Sequence, residues 1–281
     1  MKQDKKAVLQ ITAVVENESC LPELEARHGL CVHIETDEHS ILFDLGRDSL
    51  LLENSTKLGI DLTKVDIVVL SHGHADHGGA LPIFLTYNKK AKIYLREEAF
   101  IPLYLQKGEE LVYSGLDQNY HRHPQLIFTE ERYDINHNIH LFSGVVPGYL
   151  NPSSNQYLYQ KSKEDYVHDD FCHEQNMILH REGKYILFAG CAHSGIINIL
   201  KKAEKQINGT IDIVIGGFHL FNPGTLKYES DELIDLIAEE LKKTKTIFYT
   251  CHCTGKYAFE RMKKTLGDQV QYFSTGTIIK L

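Results

Sequence analysis

The chain opens as a meander of strands and ends in regular strand–helix alternation. "AVLQITAVVEN" and "LCVHIET" carry β-branched, partly alternating residues, and "SILFDLG" follows after a polar pair, Asp37 and Glu38, suited to a hairpin turn. "DSLLLENSTKLGI" shifts to helical spacing, with Gly59 as its stop. "KVDIVVLS" reads as a buried strand, "GGALPIFLTYN" as a helix begun after two glycines, and "AKIYLRE" as the next strand. From Glu97 to Tyr166 the periodicity weakens. That segment is polar and rich in tyrosine (Tyr104, Tyr113, Tyr159 and Tyr166 among them), with short strands at "QLIFTEE" and "NIHLFSG". It fits either an elaborated surface region or a lid whose aromatics flank a planar substrate.

Alternation then returns. "NMILHREGKYILFAG" predicts a hairpin turning at Glu182-Gly183, and "GIINILKKAEKQI" an amphipathic helix with Ser194 as its N-cap. "TIDIVIGG" is a buried strand, and "SDELIDLIAEELKKT" a helix whose acidic start and basic end suit its dipole. "KTIFYT" is a strand, "KYAFERMKKTLG" a helix, and "VQYFSTGTIIKL" a final strand pair. Two halves of this kind predict an α/β fold of two packed sheets covered by helices.

With 281 residues, 42% of them hydrophobic, the chain can bury a large core. We expect one domain spanning 1–281, with 97–166 as a capping insertion. A net charge of −8 and the lack of a basic run speak against a nucleic-acid partner. The apolar stretch near the start is short and strand-like, so neither a signal peptide nor a membrane span is expected, and a cytoplasmic enzyme is. Six cysteines in a chain of this size read as reduced thiols, but Cys191 and the Cys251/Cys253 pair stand beside histidines after apolar runs, where metal ligands are found.

The chemistry concentrates in "VVLSHGHADHGGALP", which packs His72, His74, Asp76 and His77 into six positions at the end of a strand. With a period near two, His72 and His74 point the same way and can share one ion. Gly73, Gly78 and Gly79 permit a tight turn that aims Asp76 and His77 at a neighbouring position. Imidazole and carboxylate suit zinc, with iron or manganese as alternatives. Three later strands end in further donors: Cys191 and His193 in "YILFAGCAHSG", His219 in "DIVIGGFHLF", and His252 in "TIFYTCHCTG". His173 and Glu174 in "FCHEQN" are weaker candidates, and His121 and His123 in "HRHPQ" lack a preceding buried strand and read as surface residues.

These features resemble the metallo-β-lactamase fold: the His-x-His-x-Asp-His signature is complete at His72, His74, Asp76 and His77, and "ILFDLG" matches the family's strand before the first ligand loop. The resemblance implies an αββα sandwich, one or two divalent ions, and Asp44 as a residue orienting a ligand. It implies metal ligation by His72, His74, Asp76, His77, His193 and His252, with Cys191 or His193 where the family carries an Asp after the strand's glycine. "GCAHSGI", "GGFHL" and "CHCTG" are similar to a dihydropteroate-synthase-like branch, whose activity joins a dihydropterin diphosphate to a ribofuranosyl-aminobenzene phosphate. The expected substrate is then a phosphorylated small molecule. Asp76 and His77 are the catalytic candidates; His219 and Ser194, the latter at a helix N-terminus able to hold phosphate, are the substrate contacts. A hydrolase of esters, lactones or phosphodiesters is the alternative, and a non-enzymatic metal-binding protein the third.

Overall fold

A computed structural model describes residues 9–281. Two seven-stranded sheets face each other. The first runs Ile278–Lys280, Gln10–Val15, Cys31–Glu35, Ser40–Phe43, Ile67–Val69, Lys92–Leu95, Leu126–Phe128. The second runs Val270–Tyr272, Ile247–Thr250, Ile213–Gly216, Lys184–Phe188, Gln175–Arg181, Ile139–Ser143, Arg132–Asp134. Ile67 and Val69 point into the layer between the sheets with Phe43, Phe188 and Ile215, while Val68 points outward to Phe84 beneath the helices Leu50–Lys57 and Leu81–Tyr87. Ile213 and Ile215 likewise face inward, and Val214 packs against the helices Ile196–Ile207, Asp231–Lys242 and Lys256–Leu266. Burial on both faces is why these strands read as unbroken apolar runs rather than alternating ones. The architecture is the expected αββα sandwich.

The hairpin turn falls at Glu182 and Gly183, both at positive φ, between paired Arg181 and Lys184. Ser230 caps its helix by accepting from the Leu233 amide at 3.2 Å. Two expectations fail. The final strand pair does not pair with itself: Val270–Tyr272 extends the second sheet beside Ile247–Thr250, and Ile278–Lys280 crosses to the first sheet beside Gln10–Val15. Ser194 is not the N-cap, because Gly195 holds that position at φ +84, a conformation that favours glycine.

The segment 97–166 is divided among layers. Leu126–Phe128 extends the first sheet, and Arg132–Asp134 with Ile139–Ser143 edges the second. Leu103–Lys107 and Glu110–Tyr113 join Leu158–Ser162 and Asp165–His168 in a separate four-stranded sheet.

His33, on Cys31–Glu35, is buried away from the candidate site, with Nε2 2.9 Å from Ser40 Oγ and 3.3 Å from Glu35. Burial pushes its pKa down from 6.5 to about 4. The unfolded chain therefore takes up a proton below pH 6.5 that the folded chain refuses until about pH 4. The stability present above pH 6.5 drains away across that window, on the order of 3 kcal/mol from this residue. Denaturant unfolding of metal-free protein at pH 7 and pH 4.5 should show a smaller loss for His33→Gln than for the parent chain. Equal losses would exclude His33 as a source of acid lability.

Candidate metal centre

The site gathers where strands end. After Ile67–Val69 the chain leaves the first sheet through Ser71, whose carbonyl accepts from the Gln175 amide of the second sheet at 2.7 Å. Gly190 makes this approach possible, since a Cβ there would lie 2.2 Å from Ser71 Oγ. His74, in extended conformation, starts the one-turn helix Ala75–Gly78, which swings Asp76 and His77 toward the second sheet. The loops after Lys184–Phe188 and Ile247–Thr250 bring Cys191, His193 and His252 to meet them.

His72, His74 and His193 form one cluster, with ring centroids 4.8, 5.0 and 5.1 Å apart. All three Nε2 atoms are buried without a hydrogen-bond partner. His74 Nε2 also lies 3.6 Å from Asp169 Oδ2, while those of His72 and His193 have no polar partner of the chain's own except nearby Cys191. Buried ring nitrogens without a hydrogen bond are costly unless a cation satisfies them. Asp76, His77 and His252 form the second group. His77 Nε2 lies 3.2 Å from His252 Nε2 and 3.1 Å from Cys191 Sγ, and Asp76 Oδ2 lies 3.2 Å from His252 Nε2. Cys191 stands between the groups, within ligand reach of His72 and His193 on one side and of His77 and His252 on the other.

The partners of the outer ring nitrogens decide which nitrogen carries the proton. Asp44 Oδ1 accepts from the Ser71 amide and Oδ2 from Ser71 Oγ, both at 2.7 Å. With its hydroxyl proton so committed, Ser71 Oγ accepts from His72 Nδ1 at 2.8 Å. His77 Nδ1 donates to Asp44 Oδ2 at 2.7 Å, His193 Nδ1 to Asn155 Oδ1 at 3.1 Å, and His252 Nδ1 to Asn17 Oδ1 at 3.0 Å. Each Nδ1 is thereby the protonated nitrogen, and each Nε2 turns a lone pair inward. Burial drives the His72 and His193 pKa values well down, reinforced by neighbouring histidines, so both rings stay neutral. Burial would raise Asp76, but His77, His252 and His28 more than offset it and keep the carboxylate ionised. This donor set fits a divalent cation: the His72, His74, His193 group would hold one ion and the Asp76, His77, His252 group a second.

Residues around these groups lacked a clear sequence signal. His28 Nε2 sits 3.0 Å from Asp76 Oδ2, and its ring packs 4.6 Å from His252; it lies on an irregular loop without a strand before it. Glu16, just past the first strand, accepts from the His252 amide and from Tyr272, and burial raises its carboxyl to about 7. His173 is buried against His72 but turned aside. Its Nδ1 accepts from the Gly73 amide at 3.2 Å, and its Nε2 meets Asp169 at 3.0 Å. Glu174 accepts from the amides of His193 and Ser194. Ser194 therefore gives its amide to a carboxylate of the chain itself, and it does not line the cavity described next.

The clusters open into a cavity of about 230 Å³. His74, Asp76, Cys191, His193, His219 and His252 form its polar wall. Leu105 and Lys107 come from the small sheet, as does Leu158, and Arg47 and Pro223 complete the rim. No tyrosine among the described residues lines it. Tyr104 packs on Tyr113 and Tyr166 at 5.5 and 4.9 Å, and Tyr159 stacks on His168, so the stacking role expected for these aromatics gives way to packing within the small sheet.

The sequence profile of the metallo-beta-lactamase superfamily matches residues 24–167. The chain belongs to that superfamily. This metallo-beta-lactamase-superfamily chain is 30% identical to the uncharacterized protein MJ0448 of Methanocaldococcus jannaschii, over 90% of this chain and 93% of that one. It is 26% identical to the 7,8-dihydropterin-6-methyl-4-(beta-D-ribofuranosyl)-aminobenzene-5'-phosphate synthase of the same organism, over 91% and 90% of the two chains. The crystal structure of Tm1679, described as a metal-dependent hydrolase of the beta-lactamase superfamily, superposes with a TM-score of 0.80 at 28% identity, covering 97% of this chain and 99% of that one. Among the described residues, no helix of this superfamily member is long and apolar enough to cross a membrane.

Proposed function

We propose that this protein is a metal-dependent enzyme acting on a phosphorylated small molecule, and that its reaction is a pterin-type synthesis releasing diphosphate. The observation that carries this reading is the inward-facing Nε2 set opening into a cavity rimmed by Arg47 and Lys107. A divalent ion, zinc fitting these donors best, would supply a Lewis acid toward a phosphoryl oxygen. The chain's own groups do the rest. Arg47 and Lys107 attract the anionic part of the substrate. Leu105, Leu158 and Pro223 offer an apolar wall to a flat ring. Asp76, ionised and facing the cavity, accepts a hydrogen bond from the attacking group and orients it, while Asp44 holds His77 in place. The small sheet serves as the cap. Likeness to a synthase at 26% identity supports the pterin assignment.

Hydrolysis is the second reading, favoured by the likeness to a structure described as a metal-dependent hydrolase. One assay separates the two. Metal-loaded protein is mixed with a dihydropterin diphosphate and a ribofuranosyl-aminobenzene phosphate, and diphosphate and the coupled product are measured. In parallel it is offered phosphodiesters, esters and lactones. Stoichiometric diphosphate and coupled product are expected. Turnover of esters or lactones without binding of any pterin would overturn the synthase reading in favour of the hydrolase, and turnover of nothing would overturn both.

A further inference from the structure

Three adjacent parallel strands of the second sheet, Lys184–Phe188, Ile213–Gly216 and Ile247–Thr250, each deliver one soft or borderline donor from the loop at their C-terminal end. These are Cys191, His219 and Cys253, and their ligand atoms all lie within 4.8 Å of one another. We propose that they form a further cation site, for a thiophilic ion such as Zn²⁺ or Cd²⁺, in the cavity wall beside the histidine clusters. The proposal rests on Cys253 and His219 and is independent of the substrate.

His219 is the decisive residue. It is buried, yet both of its ring nitrogens lack a hydrogen-bond partner. A buried imidazole with neither nitrogen engaged is uncommon, and an ion is the simplest partner that needs no proton. Its backbone sits at φ +52, unusual for a residue of this size, and is held there by neighbours. The His219 amide donates to Cys253 Sγ at 3.3 Å, the Phe218 amide to Thr254 Oγ1 at 2.9 Å, and the Gly217 amide to the Gly190 carbonyl at 2.8 Å. The three loops are thus tied to one another before any ion arrives. Two thiols and one imidazole, with the cavity on the remaining side, are the donor set of a zinc site that keeps an open position. Cys191 Sγ, 3.1 Å from His77 Nε2, is shared with the second histidine group, so its thiolate would bridge the new site to that one. In this arrangement His219 is a ligand rather than a substrate contact.

The test is a Co²⁺ titration of the metal-free full chain under reducing conditions, read by near-ultraviolet thiolate-to-cobalt charge transfer and by ions bound per chain. The parent chain should show charge transfer from two thiolates. Cys253→Ser should lower that band by about half and bind one ion fewer. His219→Ala should weaken this uptake at least about tenfold. An unchanged band and unchanged stoichiometry in Cys253→Ser would overturn the proposal. Should Cys253→Ser fail to fold, alkylation of the parent chain followed by mass spectrometry decides. Cd²⁺ should protect Cys253 together with Cys191, and protection of Cys191 alone would overturn the proposal.

Discussion

His193→Ala is expected to lose its ion as completely as His72→Ala, whereas His173→Ala keeps the ion at reduced affinity. Both His173 and His193 lie buried beside His72, so proximity does not separate them. Orientation does. His193 turns an unpartnered Nε2 toward those of His72 and His74 and spends its Nδ1 proton on Asn155. His173 has both nitrogens engaged, one by the Gly73 amide and one by Asp169. Its Nε2 proton goes to Asp169 and its Nδ1 lone pair to the Gly73 amide, so the ring has no free lone pair to offer a metal. Its part is to hold the turn between His72 and His74. Such supporting residues typically cost 10–100-fold in metal affinity when removed, so His173→Ala should fall in that range and His193→Ala beyond it. Ions per chain after gel filtration, with affinity from chelator competition, check this. Retention of the ion by His193→Ala and its loss from His173→Ala would reverse the assignment.

What the residues made legible follows from where local chemistry suffices. Ile67–Val69 and Ile213–Gly216 are buried on both faces, and that alone marks them as central strands whose ends can carry a site. The spacing of His72, His74, Asp76 and His77 survives into the fold because one short helical turn and close-packed glycines leave the side chains little choice. Partners far apart in sequence were not legible. Nothing in the alternation of Val270–Tyr272 and Ile278–Lys280 says that they belong to different sheets, since register and neighbour are settled by the packed layers. Ser194 has the chemistry of a cap, but the turn demands positive φ at the next residue, and Glu174, just before the strand Gln175–Arg181, claims the Ser194 amide. His28 and Asn17 stand on irregular segments and Asn155 on the short 3-10 turn Ser153–Tyr157, where no periodicity points at the site. The tyrosines advertised stacking, but the small sheet uses them on one another.

Asp44→Asn should leave a folded protein whose metal affinity falls 10–100-fold, and Asp44→Ala should in addition lose about 3–5 kcal/mol of stability. One fully buried carboxylate serves both metal groups. Through Ser71 Oγ it fixes His72, and directly it fixes His77. Asp44 Oδ2 accepts from His77 Nδ1 at 2.7 Å, which leaves the Nε2 lone pair aimed at the site. An asparagine keeps the volume and one acceptor for the Ser71 amide. Its NH₂ group, however, would take the place of Oδ2 and face both His77 Nδ1–H and the Ser71 hydroxyl, donor against donor. The His77 ring must then exchange tautomers or rotate, and its Nε2 lone pair leaves the site. Alanine removes the acceptors altogether and strands the Ser71 amide and His77 Nδ1 in a dry interior. The left-handed backbone at Asp44, φ +60, adds to the cost, since alanine tolerates it less well than aspartate or asparagine. Thermal unfolding of the metal-free variants isolates the stability loss, and chelator competition on the loaded proteins isolates the affinity loss. Parental affinity in Asp44→Asn would mean that His77 is held by the surrounding packing and not by the carboxylate.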